Sequence, residues 1–177
     1  MKIAILTQPV GHNYGGLLQA YALQTYLKKN GYDVETIDRR VPDGISKRII
    51  KDYTINFIRL LLGRIRSMPT AGRQAYVEKK LVDFRDRRLS MSPKITSEQQ
   101  IRDYFRKSDF DAVIVGSDQV WRPRYSPSIL NFYLDFLVDI ESPARRLAYA
   151  ASFGVDFWEY PDYITEKCKV LAKQFDA

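Results

Sequence analysis

The first 38 residues restrict the fold most. Lys2–Thr7 (KIAILT) is a short apolar run rich in branched side chains, suited to a strand covered on both faces of a parallel sheet. Gly11, Asn13, Gly15 and Gly16 make a turn-rich loop. Leu17, Leu18, Tyr21, Ala22 and Leu27 then recur at helical spacing, Lys28 and Lys29 fill the last turn, and Gly31 stops the helix. Asp33–Asp38 (DVETID) alternates as a second strand. Strand, helix and strand in so few residues form a βαβ unit, whose crossover is right-handed within a parallel sheet. The chain therefore reads as an α/β fold, a Rossmann-like parallel sheet flanked by helices.

The rest extends that reading. Thr96 with Gln99 predicts a capping box for a helix running to about Lys107. Asp111–Gly116 (DAVIVG) is almost wholly apolar and predicts a buried strand. Arg146–Ala151 predicts another, and Asp162 a cap for a last helix with Ile164, Cys168, Leu171 and Phe175 on one face. Between the second strand and Thr96 lies an insertion, about residues 42–90, with helical patterning over Ile45–Ile65, a break at Pro69 and Gly72, and a helix over Ala71–Arg88. The triplet Phe110-Asp111-Ala112 that leads into one strand returns as Phe175-Asp176-Ala177, as if a further strand began there.

Composition narrows the classes. At 177 residues, 45% hydrophobic and 28% charged, the chain suits one ordinary domain and not a disordered segment. No apolar run approaches the roughly 20 residues of a membrane span. The amino terminus has one basic residue and too short an apolar stretch for a signal peptide, so the cytosol is the expected compartment. One cysteine, Cys168, and one histidine, His12, make neither an internal disulfide nor a Cys/His metal cluster. The net charge of +7 is concentrated between Arg39 and Arg88, where fourteen Lys and Arg face five Asp and Glu. Such a stretch is either a solvated helix face or a surface for an anionic partner: phosphate, lipid headgroups, nucleic acid or an acidic domain. The pairs Arg39–Arg40, Arg87–Arg88 and Arg145–Arg146 are expected in solvent.

Ligands of open α/β sheets sit outside the carboxyl ends of the strands, and three loops here fall at such ends. In the first, His12–Gly16, amides at a helix start favour an anion and Gly15 and Gly16 allow close approach. His12 and Asn13 offer hydrogen bonds, with Gln19 one turn inside. The pattern is neither a dinucleotide fingerprint nor a P-loop, and an Asn-capped turn explains it as well. In the second loop Gly116, Ser117, Asp118 and Gln119 follow the apolar strand. Asp118 suits a base or an acceptor of sugar hydroxyl hydrogen bonds, or else a turn cap. Trp121 can stack on a ring or simply pack. The third loop, Ser152, Phe153 and Gly154, is small enough for close packing or ligand approach.

Asn13-Tyr14-Gly15-Gly16-Leu17-Leu18-Gln19-Ala20-Tyr21-Ala22-Leu23-Gln24, Gly116-Ser117-Asp118-Gln119-Val120-Trp121 and Tyr149-Ala150-Ala151-Ser152-Phe153-Gly154 together resemble the three signatures of the polysaccharide pyruvyl transferase family, in family order, with Asn131–Phe136 similar to the stretch between the last two. The resemblance implies the amino-terminal domain of a two-domain transferase like the GT-B glycosyltransferases, moving a pyruvyl group from phosphoenolpyruvate onto two hydroxyls of a sugar as a ketal during cell-surface polysaccharide synthesis. Asp118 and His12 become the candidate catalytic residues. Asn13, Tyr14, Gly15, Gly16, Gln19, Gly116, Ser117, Gln119, Trp121, Ser152, Phe153 and Gly154 become candidates for substrate binding. Phosphoenolpyruvate is then a donor substrate, and no metal or other cofactor is expected. The implied partners are the donor, a glycan acceptor and a second, carboxyl-terminal domain, not nucleic acid. The basic stretch would be free to touch the inner face of a membrane. Family members are about twice as long, so this chain alone is expected to be inactive. A nucleotide-sugar-dependent glycosyltransferase and a non-catalytic anion-binding module are the alternatives.

Overall fold

The computed structural model describes residues 1–10, 13–42 and 71–177. Four parallel strands carry the chain: β1 (Lys2–Leu6), β2 (Asp33–Thr36), β3 (Ala112–Asp118) and β4 (Arg145–Ala151), in the order β2-β1-β3-β4. Helix α1 (Tyr14–Lys29) joins β1 to β2. Between β2 and β3 come α2 (Ala71–Arg88) and α3 (Glu98–Lys107). A 3-10 turn (Ile129–Tyr133) and the short α4 (Asp135–Asp139) lie between β3 and β4, and α5 (Asp162–Ala172) follows β4. The expected helical patterning over Ile45–Ile65 lies outside the described residues.

The apolar runs are buried because both faces of the sheet are covered. Ile3, Ile5, Val34, Ala112 and Ile114 pack on one side, where Leu23 and Leu27 of α1 meet them. Ala4, Leu6, Val113 and Val115 face the other way, onto Ile101 and Phe105 of α3 and onto Phe132, Phe136 and Leu137. Leu81 of α2 joins Val10, Leu17 and Ala20 in a further cluster.

Local chemistry sets the helix ends. Gly31 takes φ +85° where α1 stops, and Lys28 and Lys29 sit at its negative end. Gln24 is buried in α1, yet its amide bonds Thr36 Oγ1 at 2.8 Å and both main-chain groups of Ser90, at 2.9 and 2.8 Å. A buried amide so satisfied pins α1 to β2. The capping box of α3 is Ser97 with Gln100, one residue beyond the expected pair. Asp162 does not cap α5; Pro161 holds the cap position and Asp162 lies in the first turn.

Two further departures bear on the site. β4 is not a buried strand: Arg145, Tyr149 and Ala150 are exposed, because no described element covers the β4 side of the α1 face. Arg39 is buried, not solvated; it donates to Asn131 Oδ1 (2.9 Å), the Arg40 carbonyl (2.7 Å) and Glu98 Oε1 (3.1 Å). The repeated triplets behave alike. Asp111 bridges Lys2 and Arg145 through its main chain, and Asp176 and Ala177 bond Arg146 and Ala148 along the outer side of β4.

Candidate functional site

The loops after β3 and β4 are locked into one unit. β3 and β4 pair Gly116 with Tyr149 and Asp118 with Ala151. A Cβ on Gly116, at φ +141°, would lie 1.9 Å from the Tyr149 carbonyl oxygen, so only glycine fits. Beyond the strands, Ser152 N–H donates to the Asp118 carbonyl at 3.0 Å and Trp121 N–H to the Ser152 carbonyl at 3.2 Å. Gly154, at φ +67°, lies under the Gln119 side chain, which a Cβ would meet at 2.2 Å. Arg122 Nη1 holds Gln119 Oε1 at 3.1 Å and is itself clamped by Glu159, at 2.9 and 3.3 Å. That paired carboxylate raises the guanidinium pKa. Gln8, two residues past β1, donates to the Gln119 carbonyl at 2.6 Å and ties in the first loop.

Asp118 is placed by this clasp. Its backbone sits at φ +78°, a conformation that costs a non-glycine residue on the order of 1 kcal/mol. Its carbonyl receives Val120 N–H, at 2.9 Å, and Ser152. None of the described residues donates to its carboxylate. Ala150 shares the left-handed region at φ +49°.

The first loop is held differently. His12 lies outside the described residues. Asn13 caps α1 by accepting Gly15 N–H at 3.0 Å, and Leu17 N–H closes the first turn on the Asn13 carbonyl. The amides of Tyr14 and Gly16 are left without intrahelical partners. Among the described residues, a Cβ on Gly15 or Gly16 would come no nearer than 3.5 Å to any side chain, so their packing does not require either glycine. Asn13, Tyr14, Gly15 and Gln19 are exposed.

Gln19 and Ser117 line a groove of about 680 Å³ between α1 and β4. Its floor is Ile114 and Leu147, with Leu23, Tyr26 and Tyr149 on its walls. Trp121 is a packing residue here: its indole N–H donates to the Phe132 carbonyl at 3.0 Å and its ring stacks on Tyr133 at 5.5 Å and 18°. Phe153 packs beside it at 5.6 Å. Beneath lie Tyr133, Tyr160 and Cys168, where burial pushes the Tyr133 phenol up to about 12 and the Cys168 thiol up to about 11.

The sequence singles out Asp118, the helix start and both locked loops, whereas Gln8, Arg122 and Glu159, which hold those loops together, carry no signal of their own. Each lies within a few positions of a strand end or signature, but its partner is far along the chain. A parallel α/β sheet flanked by helices, with polar loops gathered at its carboxyl edge, belongs to the Rossmann-like class, whose ligands sit at that edge. The match of residues 13–177 to the polysaccharide pyruvyl transferase family model makes the chain a member of that family, and so of a family of transferases. Neither a curated relative nor a solved structure matches it. Among the described residues no helix is long and apolar enough to cross a membrane.

Proposed function

We propose that the chain serves the transfer of a pyruvyl group from phosphoenolpyruvate to two hydroxyls of a sugar, as the amino-terminal half of a cytoplasmic two-domain enzyme of cell-surface polysaccharide synthesis. The carrying observation is the family match over residues 13–177, with all three signature loops at one edge of the sheet. In this reaction an acid protonates the methylene carbon of the enol phosphate, two hydroxyl oxygens bond to the adjacent carbon, and inorganic phosphate leaves. The overall step balances without an oxidant or reductant.

The donor carries a carboxylate and a phosphate, and the amides of Tyr14 and Gly16 at the start of α1 suit one of these anions. His12 belongs to the same loop and is the candidate proton donor. Asp118, whose carboxylate receives no hydrogen bond from the described residues and whose backbone is fixed by the clasp, is the candidate base for an acceptor hydroxyl. A second domain would bring the cations that complete the donor site. In this reading the basic region from Pro42 to Arg88 rests against an anionic membrane face.

The test is phosphate release from phosphoenolpyruvate by the native gene product across a panel of sugars. Release is expected only with an acceptor present, and Asp118→Asn should lower kcat by about 10²–10⁴. No release with any acceptor, while nucleotide sugars bind in calorimetry, would replace this reading with a glycosyltransferase.

A further inference from the structure

The third loop runs on into aromatic side chains that packing does not explain. Phe157 and Trp158 are 62% and 55% exposed. Trp158 is nonetheless held. Its indole N–H donates to Thr165 Oγ1 at 2.8 Å, and its ring rests against Phe153 (5.3 Å, 50°) and Tyr160 (4.8 Å, 50°). A ring whose one polar group is committed has only its apolar π surface left to offer. Because the ring is already fixed, using that surface costs little side-chain entropy.

The surroundings say what the surface fits. Glu159, the next residue, forms the two-pronged pair with Arg122. Arg122 and Arg124 lie over the ring of Tyr125, at 5.1 and 5.9 Å, and Tyr125 is itself exposed. Rigid aromatic surface interrupted by a carboxylate and guanidinium groups does not suit an acyl chain or a buried helix, which want continuous apolar contact. It suits a pyranose, which has an apolar C–H face and a rim of hydroxyls. Phe153 of the third signature loop touches Trp158, and Arg122 holds Gln119 of the second, so this surface adjoins the candidate site.

We propose that Trp158 stacks on a pyranose ring of the glycan acceptor, with Glu159 and Arg122 at the hydroxyl rim. The proposal rests on reading the neighbouring loops as a sugar-using site. The probes are methyl β-glucopyranoside, methyl β-galactopyranoside and methyl α-mannopyranoside, each added to the full chain. Ligand-observed saturation-transfer NMR should show contact on one C–H face of at least one of them. Trp158→Ala should weaken that binding about tenfold, whereas Trp158→Phe, which keeps a ring, should hold it within about threefold. Trp158→Phe, which keeps a ring against Phe153 and Tyr160, should melt close to wild type, and Trp158→Ala, which loses those contacts and the bond to Thr165, should melt lower but remain folded at the assay temperature. There are only two tryptophans, and Trp121 is engaged with Phe132 and Tyr133, so a glycoside-induced change of fluorescence lost in Trp158→Phe gives a second readout.

No contact with any of the three glycosides, or equal affinity in Trp158→Ala, overturns the proposal. So does unchanged sugar binding accompanied by an altered sedimentation coefficient in Trp158→Ala, which marks a protein contact instead. The donor assignment fails separately. Sugar binding through Trp158 without phosphate release from phosphoenolpyruvate leaves the stacking intact. Phosphate release with an acceptor KM that Trp158→Ala does not change removes the stacking alone.

Discussion

The loop after β1 and the loops after β3 and β4 are similarly rich in glycine and small polar residues, yet they are held in opposite ways. Gly116 and Gly154 are where they are because another part of the protein occupies the space of a Cβ: the Tyr149 carbonyl in one case, the Gln119 side chain in the other. Among the described residues, none crowds a Cβ at Gly15 or Gly16. The glycines of one edge of the site thus build a rigid clasp, and those of the other leave main-chain amides open to approach. Catalytic sites need both, since a base works only if positioned and an anion binds amides only if it can reach them.

The largest test of this contrast is Gly116→Ala. The new methyl would collide with backbone in the middle of a strand pair, at a φ of +141° that side chains rarely adopt. A loss of about 3–5 kcal/mol is expected in denaturant unfolding, enough to leave many domains unfolded. A loss under about 1 kcal/mol would mean that β3 and β4 part easily, and the clasp would not be rigid.

Gly154→Ala comes next, because its obstacle is a side chain. The left-handed backbone costs about 1–2 kcal/mol, and Gln119 must also leave its seat beside Arg122. The double variant Gly154→Ala with Gln119→Ala should be less destabilised than the sum of the singles, by about 1 kcal/mol. Strict additivity would show that Gln119 and Gly154 do not hold each other, and that the two loops are separate.

The same contrast marks how much was legible beforehand. KIAIL and AVIV announce covered parallel strands because near-continuous apolar runs have no other good use in a chain of this composition. The start of α3 was legible only to within a residue. Thr96-Ser97 is followed by Gln99-Gln100, so the capping pattern fits twice, and the helix takes the second fit, one residue beyond Ile95 and Thr96 at the margin of the sheet. β4 reads as buried from its residues, but burial depends on what lies above them, and there the sheet borders the groove. Gln8 with Gln119 and Arg122 with Glu159 join residues 111 and 37 positions apart. No local pattern encodes such contacts, which exist only once the strands have been aligned. Arg39 is the same case, a charge that becomes a buried scaffold because Asn131 and Glu98 arrive beside it.

Gly15→Ala should have the smallest effect on stability and the opposite sign. The position is the second of α1, its Cβ would stand 3.5 Å from Asn13 Oδ1, and the helix starts with ordinary dihedrals. Alanine removes freedom from the unfolded chain and favours the helix, so unfolding should require up to about 0.5–1 kcal/mol more. On the proposed reading the same methyl shields the amides that receive the donor, so the KM for phosphoenolpyruvate should rise while the acceptor KM stays put. Higher stability with weaker donor binding is a pairing that a structural glycine cannot produce, because removing one loses stability first. A destabilised Gly15→Ala would therefore place this loop with the other two, and the division of the site into a clasp and an open lip would fall.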